Sequence, residues 1–383
     1  MTRFWPAVST VRAQSRKIIA LVPNADWMVA GWVFALKFLL LIFGAKSYQI
    51  LEDHRPDGEH PWLELWNRWD AVHYHNIAQF GYGATESIKQ MFYPLYPSCV
   101  WLLAQINGDY LVSAFIVAGA ASLAAAVLLR RLVALDYSPA VALRSVWFFL
   151  IFPTAYFLHI GYTEGLFIAL ALGSLFAART GRWWLAGLLG ALCWGTRPTG
   201  IVLLPTLAVE AAHQFWITRR WNWRWLWIGI VPVGFSIYLL LNFQSSGDPF
   251  TFLRVRKGIF GIIPDWPWVG IQSAIDNFRR VPNEAEMVGA QELYFVLLGL
   301  LCMIVSWIKL RPAYAVWITG NWLLFTCATF IASAPRYSLP LFPIFILFAL
   351  LAANRFWNAL ITVWSLLYLA LFASLFVRGW WAF

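Results

Sequence analysis

Charge is scarce in this sequence: Asp, Glu, Lys and Arg make up only 12% of 383 residues, too few to clothe a soluble chain of this length. Cysteine is scarce as well. Cys99, Cys193, Cys302 and Cys327 each stand alone within or beside apolar runs, without the pair spacing of a disulfide framework or a metal knuckle, and read as core residues. There is no phosphate-cradling glycine loop, no Gly-x-Ser-x-Gly elbow and no Asp-x-Asp pair of the sort that holds a metal-bound nucleotide sugar. His54, His60, His75 and His213 lack metal-ligand spacing.

What is abundant is apolar: 61% hydrophobic and 18% aromatic residues, with a mean hydropathy of +0.65. This composition predicts an all-α, multi-pass integral membrane protein. Apolar runs bounded by polar punctuation give about eleven spans of about 20 residues, centred near 37, 120, 149, 170, 190, 207, 235, 300, 322, 345 and 367. The first run, Asp26 to Tyr48, exceeds a signal-peptide core and has no A-x-A site, so it is expected to be an uncleaved first span. The net charge of +10 is not a nucleic-acid footprint, because the basic residues form short clusters between apolar runs.

Those clusters orient the chain. With Phe92 to Ile106 treated as non-spanning, one side collects Arg3, Arg12, Arg16 and Lys17, Arg130, Arg131 and Arg144, Arg179 and Arg182, Arg219, Arg220 and Arg224, Lys309 and Arg311, and Arg355. Short loops rich in Lys and Arg stay in the cytoplasm. The chain then reads as one transmembrane domain, 1–383, with two long extracytoplasmic loops at 44–110 and 244–291.

The first long loop carries Arg68-Trp69-Asp70, then His73-Tyr74 and Ile77-Ala78-x-x-Gly81-Tyr82. If the run from Leu63 to Phe80 is helical, Asp70 and His73 project from one face. Trp66, Trp69, Tyr74, Ile77 and Phe80 would then seat that helix at the interface. The short loops of the same side hold Tyr162-Thr163-Glu164, Thr196-Arg197-Pro198-Thr199-Gly200 and Pro335-Arg336-Tyr337. Glu164 reads either as a first-turn carboxylate of a helix capped by Thr163 or as a site residue. Arg197 and Arg336, each beside a proline-broken helix end, suit an anionic phosphate; pairing with Glu164 is the other reading. Lys37 lies mid-span and is expected to snorkel or pair within the bundle. Arg254, Arg256 and Lys257 suit a lipid headgroup or a substrate phosphate.

These motifs, with Phe92-Tyr93-Pro94-Leu95-Tyr96-Pro97, resemble the GPI mannosyltransferase 2 (PIG-V-like) family and its bacterial relatives, in the same order over most of the chain. The resemblance implies a GT-C-like bundle with interfacial helices in the first extracytoplasmic loop. It also implies sugar transfer from a polyprenyl-phosphate donor to a lipid or glycan acceptor, with Asp70 as the carboxylate at the reacting centre. Arg68, Trp69, His73, Tyr74, Tyr93, Tyr162, Glu164, Arg197, Arg336 and Tyr337 are the candidate substrate-binding residues. The chemistry suits them: a base for the acceptor hydroxyl and cations for the departing phosphate, with no cofactor and no required metal. The strong cytoplasmic Arg bias suits a bacterial inner-membrane enzyme whose site faces the periplasm or exterior. A transporter or lipid flippase is the alternative, though it would favour internal repeats, and none is found.

Overall fold

A computed structural model describes residues 23–52, 58–83, 88–279 and 290–381. Arg3, Arg12, Arg16 and Lys17 of the first basic cluster, and His54, lie outside them. Among the described residues the regular structure is helical, joined by turns and loops, with an isolated antiparallel bridge between Pro264 and Ala328. In chain order the helices that place the site are α1 (Pro23–Leu51), α2 (Asp70–Phe80), α3 (Leu95–Asn107), α4 (Tyr110–Val133), α5 (Pro139–Leu150), α6 (Glu164–Arg179), α7 (Trp183–Trp194), α8 (Leu203–Thr218) and α9 (Val233–Ser246). They continue as α10 (Thr251–Phe260), α11 (Pro267–Phe278), α12 (Ala290–Lys309), α13 (Pro312–Thr326), α14 (Pro343–Leu351) and α15 (Arg355–Val377).

Local chemistry starts several of these. Asp109 caps α4 by accepting from Val112 N–H at 2.8 Å, and Asn354 caps α15 by accepting from Phe356 N–H at 2.8 Å. Ser138 precedes Pro139 at the start of α5, where a missing N–H costs nothing.

A helix stands at each expected span centre, but among the described residues 6 are long and apolar enough to cross a membrane: Asn24–Leu51, Tyr110–Val133, Pro198–Thr218, Trp223–Ser246, Gln291–Lys309 and Arg355–Val377. The others are shorter. The span expected around 149 ends at Leu150, and the chain goes on through a buried turn and a single 3₁₀ turn, Ala155–Leu158. Such breaks are tolerated where protein, not lipid, surrounds the backbone. The 13-residue α3 is too short to cross about 30 Å of hydrocarbon, in keeping with a non-spanning 92–106 segment.

α6 is the central helix, packed between α4 and α7. Lipid gives no hydrophobic drive for helix association, so close packing of small residues takes its place. Ala118 and Ser122 of α4 come so near Gly165 that a Cβ there would lie 3.3 Å from their backbone. At Gly234 the approach is closer still, since a Cβ would overlap the carbonyl of Ala191.

The two ends of α6 carry different ion clusters, separated by 16 residues or about 24 Å. At its C-terminal end Arg179 pairs with Asp136 (2.8 Å), and Arg311 pairs with Glu210 (2.7 Å). Arg130 and Arg131 both engage Asp26, at 2.5 and 2.8 Å. These contacts gather the described basic clusters of α4, α6 and α13 at one end of the bundle. Glu164 begins α6 at the other end.

Candidate functional site

Asp70 opens α2, and the backbone before it is unusual. Instead of one helix from Leu63 to Phe80, the chain forms a turn at Pro61–Glu64, breaks, and restarts at Asp70. Trp69, at φ +55°, makes the break, a conformation costly for a bulky residue. Its ring packs edge-on against Trp381 with centroids 5.2 Å apart. The break splits the expected aromatic face: Trp66 is fully buried in the bundle, while Phe80 is exposed.

The break sets Asp70 at the mouth of a charged cluster drawn from four segments. Arg336 donates through Nη1 to Asp70 Oδ2 at 2.5 Å and through Nε to Glu164 Oε1 at 2.5 Å. Arg197 donates through Nη1 to the same Glu164 oxygen and to Thr163 Oγ1 at 3.4 Å. Glu164 is therefore the node, with no exposed surface, and its second oxygen is buried without a hydrogen-bond partner among the described residues. Charge balances, two carboxylates against two guanidiniums, which is what makes such burial tolerable. Thr163 does not cap α6 with its side chain; its hydroxyl faces Arg197 and, at 3.5 Å, the hydroxyl of Tyr74.

The four charges are not equally open. Asp70 is 37% exposed, and among the described residues its Oδ1 accepts no hydrogen bond. Arg336 is almost fully enclosed, over the rings of Tyr162 (4.6 Å) and Phe157 (5.0 Å). The hydrogen bonds of Arg197 among the described residues leave from Nη1 alone, so Nε and Nη2 remain available as a second edge.

Other expected site residues take supporting places. Tyr162 donates from its hydroxyl to the Arg68 carbonyl at 2.9 Å, pinning the turn before Asp70. The Arg68 guanidinium bonds the Leu65 carbonyl at 3.1 Å and lies near Gly379. Tyr337 lies 5.5 Å beneath the Arg197 guanidinium. His73, one turn after Asp70, stacks beside Phe92 at 5.1 Å. Burial pushes its imidazole below the ordinary value against the pull of Asp70, which disfavours the charged form. Tyr93 is not brought to the cluster but stacks on Tyr238 at 3.9 Å. Lys37 pairs within the bundle, donating to the carbonyls of Phe115 (2.7 Å) and His159 (3.1 Å). Arg254 bonds Asp248 at 3.2 Å.

Two participants escaped the reading of the sequence. Phe157 looked like one more apolar residue of a span. Glu292 lay at the start of an apolar run, far from any motif. In the fold its buried carboxylate accepts from Ser333 N–H (2.8 Å) and Ala334 N–H (2.6 Å), beside Arg336. Among the described residues no group of three or more His, Cys, Asp or Glu side chains is placed to hold a metal ion.

Fold and site together define a helical membrane protein with a charge-balanced, half-open acidic site at one end of its bundle. Its sequence relatives sharpen that class. Residues 60–226, which include Asp70, Glu164 and Arg197, match the mannosyltransferase (PIG-V) family, bearing out the resemblance of the motifs over this stretch. Similar proteins include GPI alpha-1,6-mannosyltransferase 2 of Mus musculus, 35% identical over 237 residues that cover 57% of this chain and 46% of the mouse protein. The Rattus norvegicus counterpart is 30% identical over 213 residues, covering 49% of this chain and 43% of the rat protein. The chain thus spans less than half the length of these relatives. Among solved structures, the apo oligosaccharyltransferase of Archaeoglobus fulgidus aligns over 92% of this chain and 56% of its own, at 10% identity and a TM-score of 0.45.

Proposed function

We propose that this protein is an integral-membrane glycosyltransferase, a mannosyltransferase by its family match, that moves a sugar from a polyprenyl-phosphate donor to a lipid or glycan acceptor. The observation that carries the reading is Asp70, with one carboxylate oxygen anchored on Arg336 and the other accepting no hydrogen bond among the described residues, in one cluster with Arg197, which shares Glu164 with Arg336. In this mechanism Asp70 Oδ1 takes the proton of the acceptor hydroxyl as that oxygen attacks the anomeric carbon. The bond from that carbon to the phosphate oxygen breaks, and its electron pair leaves with the phosphate. Arg197 meets the charge growing on the leaving group with Nε and Nη2. A single displacement of this kind inverts the anomeric configuration. Arg336 holds Asp70 in place and sits too deep to be the first contact of a phosphate.

Arg197→Gln keeps polarity and approximate length but loses the charge and the fork. It is expected to weaken polyprenyl-phosphate binding by about 1.5 to 3 kcal/mol, with lysine restoring only part. Titration of the purified variant with a short-chain polyprenyl phosphate measures this, and unchanged affinity would remove Arg197 from the phosphate site. Mass spectrometry of lipids co-extracted with the protein tests the class itself, since a bound polyprenyl phosphate supports transfer and a retained transport substrate supports a carrier.

The charge bias supports a topology with the basic end of the bundle in the cytoplasm and the Asp70 end in the periplasm or exterior of a bacterial inner membrane. Ser87, the natural labelling position in the first loop, lies outside the described residues, so exposed Gln272 of α11 serves instead. In a chain lacking the native cysteines, an impermeant thiol reagent applied to intact cells is expected to modify Gln272→Cys and spare Thr180→Cys. The reverse pattern would invert the topology.

A further inference from the structure

We infer that Glu292 is a positioning residue for the site: it holds the turn that delivers Arg336 to Asp70 and Glu164. The kinetic part of this inference rests on the proposed transferase reading. Arg336 lies on a single helical turn, Ala334–Ser338, too short to be stable by itself and dependent on its surroundings for its place. The turn begins with Ser333 in the left-handed region at φ +64°, one of three described non-glycine residues with positive φ. Trp69, next to Asp70, is another. The two backbone turns that bring Asp70 and Arg336 together are thus both in conformations that persist only when neighbours hold them.

For the Arg336 turn, the holding groups are visible. The N–H groups of Ser333 and Ala334 have no intrahelical acceptor, being the first of a helical turn, and Pro335 has no N–H at all. One oxygen of Glu292 accepts from each of the two, at 2.8 and 2.6 Å, so a carboxylate from α12 caps a turn that belongs to another part of the chain. Thr154 secures the other side by donating from Oγ1 to the Pro335 carbonyl at 3.1 Å. Glu292 has no exposed surface, and substrate cannot touch it without rearrangement. Its influence runs through the backbone into the Arg336 side chain, and from there to both carboxylates of the cluster.

The test is Glu292→Gln, which preserves size but presents an amide NH₂ to one of the two backbone donors. Hydrogen exchange of the peptide bearing Ser333 and Ala334 is expected to speed up at least tenfold while the amides of α6 and α13 stay protected, showing that the bundle still folds. Unaltered exchange at the turn would overturn the inference, whatever the protein's activity. In transfer assays, kcat is expected to fall about 10- to 100-fold, the scale of a small misplacement at a reacting centre, with donor KM within twofold because Arg197 is untouched. Added to Arg336→Gln, the change should cost nothing further. Multiplying losses in the double variant would mean that Glu292 acts elsewhere and would equally overturn the inference. If wild-type protein transfers no sugar, the function proposed above fails, while the exchange measurement still decides the role of Glu292.

Discussion

Asp70→Asn is expected to lower sugar transfer by about 10²- to 10⁴-fold, the usual worth of a positioned general base. The fold should survive. The asparagine carbonyl can still accept from Arg336 Nη1, Arg336 keeps its ion pair with Glu164, and the charge lost is that of the partly exposed carboxylate, so packing is kept and the stability cost is smaller than at sealed Glu164. Donor affinity should change little, because the phosphate is proposed to meet Arg197, which makes no hydrogen bond to Asp70. Turnover per folded molecule, measured beside a melting curve in detergent, gives the answer. A variant keeping more than about a tenth of wild-type turnover would strip Asp70 of the base role.

The largest effect on stability is expected at Glu164. Its one bonded oxygen serves both Arg197 and Arg336, and both guanidiniums are largely buried, Arg336 more deeply than Arg197. Among the described residues, Glu164→Gln leaves Arg336 paired with Asp70 and Arg197 without a carboxylate partner, and breaking a buried pair in this way costs about 3 to 5 kcal/mol. Calorimetry or denaturant melting of the variant should register a loss of that order, together with lost activity in the folded remainder. A melt indistinguishable from wild type would mean that the cluster is hydrated and more open than its geometry indicates.

Asp70 and Glu164 differ in exposure. One carboxylate is half open, with an oxygen that accepts no hydrogen bond among the described residues; the other is sealed and bonds both guanidiniums. The separate network of Arg179, Asp136, Glu210 and Arg311 at the far end of α6 ties down helices that lead to the site residues. α6 begins with Glu164, α8 follows Arg197, and α13 precedes Arg336. Glu164 and Arg197 thus each border a helix anchored at its far end, and Arg336 follows a third.

Much of this was legible from composition and spacing. Scarce charge and long apolar runs set the class, since a chain with so little polar surface must be solvated by lipid. The positions of Asp70, Glu164, Arg197 and Arg336 stood out because an ionisable residue beside an apolar run needs a partner or a ligand. The basic clusters ordered the two ends, and the motifs pointed to the mannosyltransferase family over residues 60–226. Only tertiary structure could say which partner each charge takes. Arg197 and Arg336 could bind a phosphate or bind Glu164, and the choice depends on distances across helices remote in sequence. It also decided that helices such as α5 and α7 stop short of a full span, because neighbouring protein satisfies their ends. Backbone-mediated effects were invisible beforehand: the positive φ of Trp69 and Ser333, and the trans cap supplied by Glu292, follow from packing around a turn and leave no periodic mark in the sequence. Sequence pattern thus determined which groups the membrane would force together, since burial cost is local to each residue; geometry alone determined how they share their hydrogen bonds.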